Sequence, residues 1–343
     1  MLETPPVSAV MSVFNGEAIL AQSLESILNQ SLRDFELILI NDGSTDRTAE
    51  VLSKYNDPRI HLIENRENIG LTPSLDIGLK AARGKWIARC DADDWNDPRR
   101  FERQLEFAES NQLDLCFCDW TRQFEDGSTS IQRDSSMSEV RHRWHSLFRN
   151  AWGAHPAALF NREKILALGG YDESFRTTQD YDLWNRCADA GLRFGWMPEV
   201  LLRRPDSQQT ISVRLSGVQL QAKARINRAN FDRILPNLDD DEIWQIVWLL
   251  EGDSTTPPGK SLRRGLQLAP QFIRQYLSNN PAAPRAEIWA CVAESLHWRI
   301  HKLSGLWDRL TTSRLFCLAV LRARGKYRFP LGASLRRFSG ARR

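Results

Sequence analysis

The sequence predicts an α/β fold: a mostly parallel sheet with flanking helices, followed by a C-terminal, mainly helical region. Three observations predict it. Short apolar runs alternate with amphipathic stretches over the first 120 residues. Polar clusters close three of those runs, at positions 15–17, 41–46 and 91–94. Beyond Ser212 the chain turns to helix-like segments rich in Trp, Arg and Leu. The boundary is expected near residue 215, giving regions 1–215 and 216–343.

Residues 7–14 are near-continuously apolar, as a strand buried on both faces should be. Asn15 is expected to cap the next helix, in which Leu20, Leu24, Ile27 and Leu28 share a face. A second strand is predicted at 35–40 and a polar turn at 41–46, where Ser44 or Thr45 would cap a helix carrying Val51, Leu52 and Tyr55. A third strand is predicted at 60–63. Thr72 and Pro73 then suit the cap and first turn of a helix bearing Leu75 and Leu79. The fourth strand, 86–89, runs through Cys90 into the acidic cluster. Residues 119–150 read as a loop and helix over the site, with further strands at 157–160 and 193–196. Residues 253–260 and 279–284 break the C-terminal helices.

Composition bounds the function. The 343 residues are 42% hydrophobic and 26% charged, as in a globular protein. Residues 1–6 lack a basic leader and no apolar run is long enough to span a bilayer, so a cytoplasmic location is expected. The six cysteines form no CxxC pair and read as reduced thiols; Cys116 and Cys118 would point the same way from one strand. Charge is asymmetric: residues 1–298 hold 34 basic and 42 acidic residues, whereas 299–343 hold 12 basic residues and one acid, Asp308. Such a tail suits an anionic surface. Residues 307–321 mix apolar and basic side chains in the manner of a helix lying on a membrane, and an ordinary packed helix fits them too. Nucleic acid is not expected, because no nucleic-acid motif is present and the body is acidic.

Ligands of parallel sheets bind beyond the carboxyl ends of the strands, where the three polar clusters lie. Asp91, Asp93 and Asp94 crowd three carboxylates into four residues, an arrangement that a Mg²⁺ or Mn²⁺ ion would neutralise. A solvated, helix-capping turn is the alternative. Asp42 is a candidate partner of a nucleotide base or ribose, or simply a turn residue. Asp180 heads a helix-like segment, where a carboxylate is either a base for a hydroxyl or a dipole-stabilising acid. His142 and His145 have a metal-compatible spacing beside Trp144 and lack a third ligand nearby.

In order along the chain, VSAVMSVFNGEAILAQSLESILNQSLRDFELILINDGSTDRTAEVL, NRENIGLTPSLDIGLKAARGKWIARCDADDWNDPRRFERQ, HPAALFNREKILALGGYDESF, QDYDLWNRCADAG and MPEVLL resemble the family 2 glycosyltransferases. The resemblance covers about the first 210 residues. It implies a GT-A, Rossmann-like fold and transfer of a sugar, with inversion, from a nucleotide-diphosphate donor, UDP foremost. By the same resemblance Phe14, Asn15, Glu17, Asp42, Asp91 and Ala92 would line the nucleotide. Asp93, with Asp91, would hold Mn²⁺ or Mg²⁺, and Asp180 would deprotonate the acceptor hydroxyl. His155, Trp120 and Trp184 are placed on the acceptor side. A glycan or polyprenyl-linked acceptor, a role in surface polysaccharide assembly and a peripheral position on the inner membrane face are implied with it. Two departures stand out. Gln179 replaces the glutamate common before the base, and residues 202–212 (LRRPDSQQTIS) lack the histidine of the family's Arg-x-His element. A non-catalytic sugar-nucleotide or glycan-binding subunit and a nucleotidyltransferase are the alternatives. VFNGE in place of a Gly-rich basic loop disfavours the second, and the absence of GxGxxG disfavours a dehydrogenase.

Overall fold

The computed structural model describes residues 4–206, 216–251, 262–300 and 306–323. The chain divides into two compact units, one comprising Met1–Glu139 and Asn150–Ile226, the other Val140–Arg149 and Asn227–Arg343.

The first unit is built on one mixed, mostly parallel sheet. Strands β1 (Val7–Val13), β2 (Phe35–Asn41), β3 (Ile60–Glu64) and β4 (Trp86–Asp91) pair in parallel in the order β3-β2-β1-β4. The sheet continues through β8 (Ala158–Asn161), β6 (Leu115–Gln123), β9 (Phe194–Pro205) and the two-residue β5 (Trp95–Asn96), while β7 (Thr129–Gln132) pairs with β6. This is the predicted class, and the strands form where period-two burial demands them. On β1, Val7, Ala9, Met11 and Val13 pack on one face with Leu20, Leu24 and Ile27 of α1 (Leu20–Leu28) and Leu52 of α2 (Thr48–Leu52). Phe101 and Ala108 of α4 (Arg100–Ser110) join the same layer. On the other face Val10, Ile38, Ile40 and Ile87 meet Leu75 and Leu79 of α3 (Leu71–Ala81), Ile165 of α6 (Arg162–Ala167) and Leu183 of α7 (Gln179–Asp189). Each central strand is buried on both sides, so polar positions survive only at strand ends or where buried partners satisfy them.

Four local expectations need correcting. Asn15 does not cap α1. It has φ +53° and its amide oxygen accepts from Thr45 N at 2.8 Å, tying the first loop to the second. Thr72 does not cap α3 either, because Gly70 holds that position and the Thr72 hydroxyl donates to the Phe175 carbonyl at 2.6 Å. Nor do Ser44 and Thr45 cap α2, whose Thr48 N donates to Asp46 Oδ1 at 3.0 Å. Finally, 119–150 is no simple loop and helix, since it contains the long end of β6 and the β7 hairpin.

In the second unit, α5 (Glu139–His145), the end of α8 (Ser216–Ile234), α9 (Asp240–Glu251), α10 (Arg263–Asn279), α11 (Arg285–Ile300) and α12 (Leu306–Arg322) share one apolar core. Trp144 and Phe148 are fully buried there, Trp144 standing edge-on to Tyr276 at 5.1 Å between ring centres. His142 and His145 are buried in the same unit, and burial, helped by Arg149, Arg141 and His142, pushes the His145 imidazole down to about 3. The basic tail from residue 324 onward, the breaker at 253–260 and positions 207–212 lie outside the described residues. Among the described residues no helix is long and apolar enough to cross a membrane.

Candidate active site

In the order β3-β2-β1-β4 the chain runs outward from β1 in both directions, so the switch point lies at the carboxyl ends of β1 and β4, where Ser12 is in register with Asp91. The loops after β1 and β2 are laced together there. Asn15 N donates to Ser44 Oγ at 3.0 Å, Gly16 N to Thr48 Oγ1 at 2.8 Å and Glu17 N to Asp46 Oδ2 at 3.0 Å. In return Arg47 donates from its backbone and guanidinium to Glu17, whose carboxyl these bonds hold below the usual range. Phe14 stands 48% exposed at the lip, an open aromatic face beside the polar loops. Asp42 is buried and its carboxylate is already engaged, accepting from Asn65 Nδ2 at 2.8 Å and from Ile69 N and Gly70 N at 3.0 Å. It therefore shapes the loop facing the switch point.

The acidic cluster follows β4. Each of Asp91, Asp93 and Asp94 offers a carboxylate oxygen within 4.8 Å of the others. Asp94 is buried, and neither of its oxygens has a hydrogen-bond donor. Burial pushes the carboxyls of Asp93 and Asp94 upward, with further upward pressure from Asp91. Ala92 is half-buried between them and packs against the α1 side of the sheet. Buried oxygens without donors beside two more carboxylates are what a hard divalent cation satisfies, so the residues fit Mg²⁺ or Mn²⁺. The turn is anchored from below by the fully buried Arg100, which donates to the Arg89 carbonyl at 3.0 Å and also holds Gln104 and Asn96.

Two arginines that no sequence motif marks complete the electrostatics. Arg89 lies on the β4 face shared with Ile87, wholly buried, with its guanidinium against Asp91. Burial opposes its charge, but Asp91 overcomes that and holds it above its usual value. Arg204 comes from β9, brought to the cluster because β5 pairs antiparallel with β9 directly after the acidic turn. Its guanidinium lies 3.3 Å from Asp94 and 3.6 Å from Asp91, at ion-pair distance from Asp94 but without the geometry of a hydrogen bond. Trp120 supports it from below, its ring 5.1 Å from the guanidinium carbon and its indole N–H donating to Asp134 at 3.2 Å.

Asp180 stands in the first turn of α7, where its carboxylate accepts from Asn150 Nδ2 at 2.9 Å and Tyr181 N at 2.8 Å. Burial raises its carboxyl above the usual aspartate range, against the pull of those donors and of Arg89. His155 Nε2 lies 2.9 Å from the Tyr171 hydroxyl, and burial, reinforced by Arg89 and Arg204, keeps the imidazole well below its usual value and hence neutral. Trp184 is fully enclosed behind that histidine by Phe117 and Phe160, so it forms a wall of the core and offers no open face to an acceptor. Arg89 thus links the carboxylate cluster electrostatically to Asp180 and to His155.

The model of Glycosyl transferase family 2 matches residues 8–169. An uncharacterized glycosyltransferase of Methanocaldococcus jannaschii is 34% identical over 209 residues, spanning 59% of this chain and 71% of the relative. The chain belongs to glycosyltransferase family 2. The putative glycosyltransferase EpsE of Bacillus subtilis is 34% identical over 210 residues, 59% of this chain and 74% of that one. Among solved structures, S. aureus TarS 1-349 superposes with a TM-score of 0.57 at 16% identity, over 94% of this chain and 92% of TarS 1-349. A second TarS structure, in complex with UDP-GlcNAc, has a TM-score of 0.55 at 16% identity, over 94% and 93% of the two chains. At such identity the likeness is one of fold, and the fold is GT-A-like. In this glycosyltransferase the matched region contains the acidic cluster, His155 and Arg89, while Asp180 and Arg204 lie beyond it.

Proposed function

We propose that this glycosyltransferase transfers a hexosyl or N-acetylhexosaminyl group, with inversion, from a nucleoside-diphosphate sugar to a hydroxyl of a glycan or polyprenyl-linked acceptor, in surface polysaccharide assembly on the inner face of the cytoplasmic membrane. The observation that carries the reading is the acidic triad at the switch point, with the buried oxygens of Asp94 lacking donors. Asp93 and Asp91 would hold a Mn²⁺ or Mg²⁺ ion, with Asp94 behind them. Such an ion, when bound, offsets the charge of a departing diphosphate. The exposed ring of Phe14 and the laced loops carrying Asn15 and Glu17 form a floor suited to a nucleoside, and Asp42 keeps the opposing loop in place. Asp180, raised by burial and held by Asn150, takes the acceptor proton. Neutral His155, bonded to Tyr171, orients the acceptor side without adding charge. The fold shared with TarS, which has been crystallised with UDP-GlcNAc, commends a uridine nucleotide as the first donor to test.

The test is calorimetric titration of UDP, GDP and their sugars into wild type and Asp93→Ala, with and without Mn²⁺. Metal-dependent binding of one nucleotide, weakened in the variant by about tenfold or more, is the expected result. Absence of nucleotide binding under every metal condition would overturn the reading in favour of a non-catalytic subunit.

A further inference from the structure

The helical unit contains a cavity of about 720 Å³ between the end of α10, the start of α11 and the end of α12. Its floor is apolar, formed by Leu277 and Trp289, both buried. Three guanidinium groups surround it, those of Arg274, Arg285 and Arg322, and the last lies 5.0 Å above the Trp289 ring. Among the described residues none of the three has a carboxylate within ion-pair distance. The acids available on α11 are committed elsewhere, since Glu287 and Glu294 both pair with Arg141. The 16-residue helix α11 also begins at Arg285, so the positive end of its dipole adds to the cationic rim.

Three arginines with no ion pair among the described residues, set around an apolar floor, select a particular ligand chemistry, an anion that carries hydrocarbon. Guanidinium forks match phosphate oxygens in pairs. A free phosphate would leave the Leu277–Trp289 floor and most of the volume unfilled. The surface next to the cavity points the same way. On α12, Leu318 and Leu321 lie one turn apart and are 37% and 76% exposed, immediately before Arg322. Exposed leucines beside phosphate-seeking arginines are arranged as at a bilayer interface, where the side chains enter the acyl boundary and the cations stay at headgroup level.

We infer that this cavity binds the phosphate headgroup of an anionic membrane phospholipid and seats the helical unit on a bilayer surface. The site is distinct from the basic tail and does not depend on the transfer reaction, so it stands or falls by lipid binding alone. The experiment is co-sedimentation of the full chain with phosphatidylcholine vesicles, with and without phosphatidylglycerol. It compares wild type, the triple variant Arg274→Gln/Arg285→Gln/Arg322→Gln, and a variant with the seven basic residues of 324–343 replaced by Gln. Circular dichroism checks that the variants fold, and nucleotide binding in solution reads the other unit. Wild type is expected to bind only the anionic vesicles. The triple variant should lose about a hundredfold in vesicle affinity, while the tail variant keeps a binding component that Arg274, Arg285 and Arg322 account for. Undiminished binding by the folded triple variant, or indifference of wild type to phosphatidylglycerol, overturns the proposal. Two further arms separate other sources of phosphate. Displacement by inorganic phosphate beyond the effect of chloride at equal ionic strength reassigns the cavity to a free anion. Preference for neutral vesicles doped with polyprenyl phosphate reassigns it to a lipid-linked acceptor. Either outcome overturns the phospholipid assignment.

Discussion

At the scale of single residues the site is a balance between carboxylates and the arginines that neutralise them. Arg204 lies where its charge competes with a cation for Asp91 and Asp94. Arg204→Ala is therefore expected to tighten Mn²⁺ binding to the nucleotide-free protein by about fivefold, in line with a partly exposed ion pair. Titration of Mn²⁺ by electron paramagnetic resonance reads this directly, and unchanged or weaker affinity would show that Arg204 does not compete. Asp180 makes a separate prediction. Its carboxyl is raised by burial and must lose its proton to act as a base, so the transfer rate should fall with decreasing pH through a value above the usual aspartate range. Asp180→Asn should lower kcat by about 10²–10⁴-fold without weakening nucleotide binding. Asn150→Ala removes a donor that favours the charged form, so it should move the acid limb upward. A pH profile that Asn150→Ala leaves in place would remove Asp180 from that role. The acidic cluster was legible in the sequence because three adjacent carboxylates are anomalous wherever they fold. Arg89 and Arg204 were not, because a lone arginine in a strand acquires meaning only when distant partners arrive beside it.

At the scale of elements, what was legible followed burial and what was missed followed long-range hydrogen bonds. Strands β1, β2 and β4 announce themselves because both faces are covered and apolar residues predominate along them. Strand β7 has no such signature, since its four residues are half-buried or exposed and it is held by pairing with β6. The helix caps failed for a related reason. Asn15, Ser44 and Thr72 have the right chemistry for capping, but their side chains are claimed by other loops. The lacing of the first two loops yields a testable consequence at Gly43, which has φ +64°. A Cβ built there would lie 2.3 Å from the Glu67 carbonyl carbon and 2.5 Å from Asn68 N, so the clash is with backbone. Gly43→Ala should cost about 2 kcal/mol through left-handed strain and displacement of the facing loop. That corresponds to a Tm lower by roughly 4–8 °C, with weaker nucleotide binding because the displaced loop carries the donors to Asp42. A thermal melt within a degree of wild type would mean that the loop yields freely.

At the scale of the whole molecule the chain folds as two units that are not consecutive in sequence. Val140–Arg149 belongs to the helical unit although it is flanked on both sides by segments of the sheet unit. Reading VRHRWHSLFR along the chain gives no warning of this, because an amphipathic segment is equally at home over a sheet or among helices. The transfer places His145 in an apolar environment, and that has a cost at low pH. The imidazole has a pKa of about 3 in the folded chain, with burial as the main cause and Arg149, Arg141 and His142 adding repulsion. Its Nδ1 is buried without a hydrogen-bond partner. An unfolded histidine titrates near 6.5. Between those values the unfolded chain binds a proton that the folded chain refuses, so stability must fall as pH falls from about 6.5 towards 3, and above 6.5 the group contributes no pH dependence. The slope from this residue is about 1.4 kcal/mol per pH unit, hence about 2 kcal/mol between pH 6.5 and 5. A neutral replacement of similar shape, His145→Phe, should leave stability at pH 8 within about 1.5 kcal/mol of wild type and flatten the decline on acidification. Urea unfolding at pH 8, 6.5 and 5, with hydrogen exchange at α5 and α9 to report on the helical unit, reads both quantities. If the variant loses stability on acidification as steeply as wild type, the acid sensitivity of the helical unit arises from groups other than the histidine that Val140–Arg149 carries into its core.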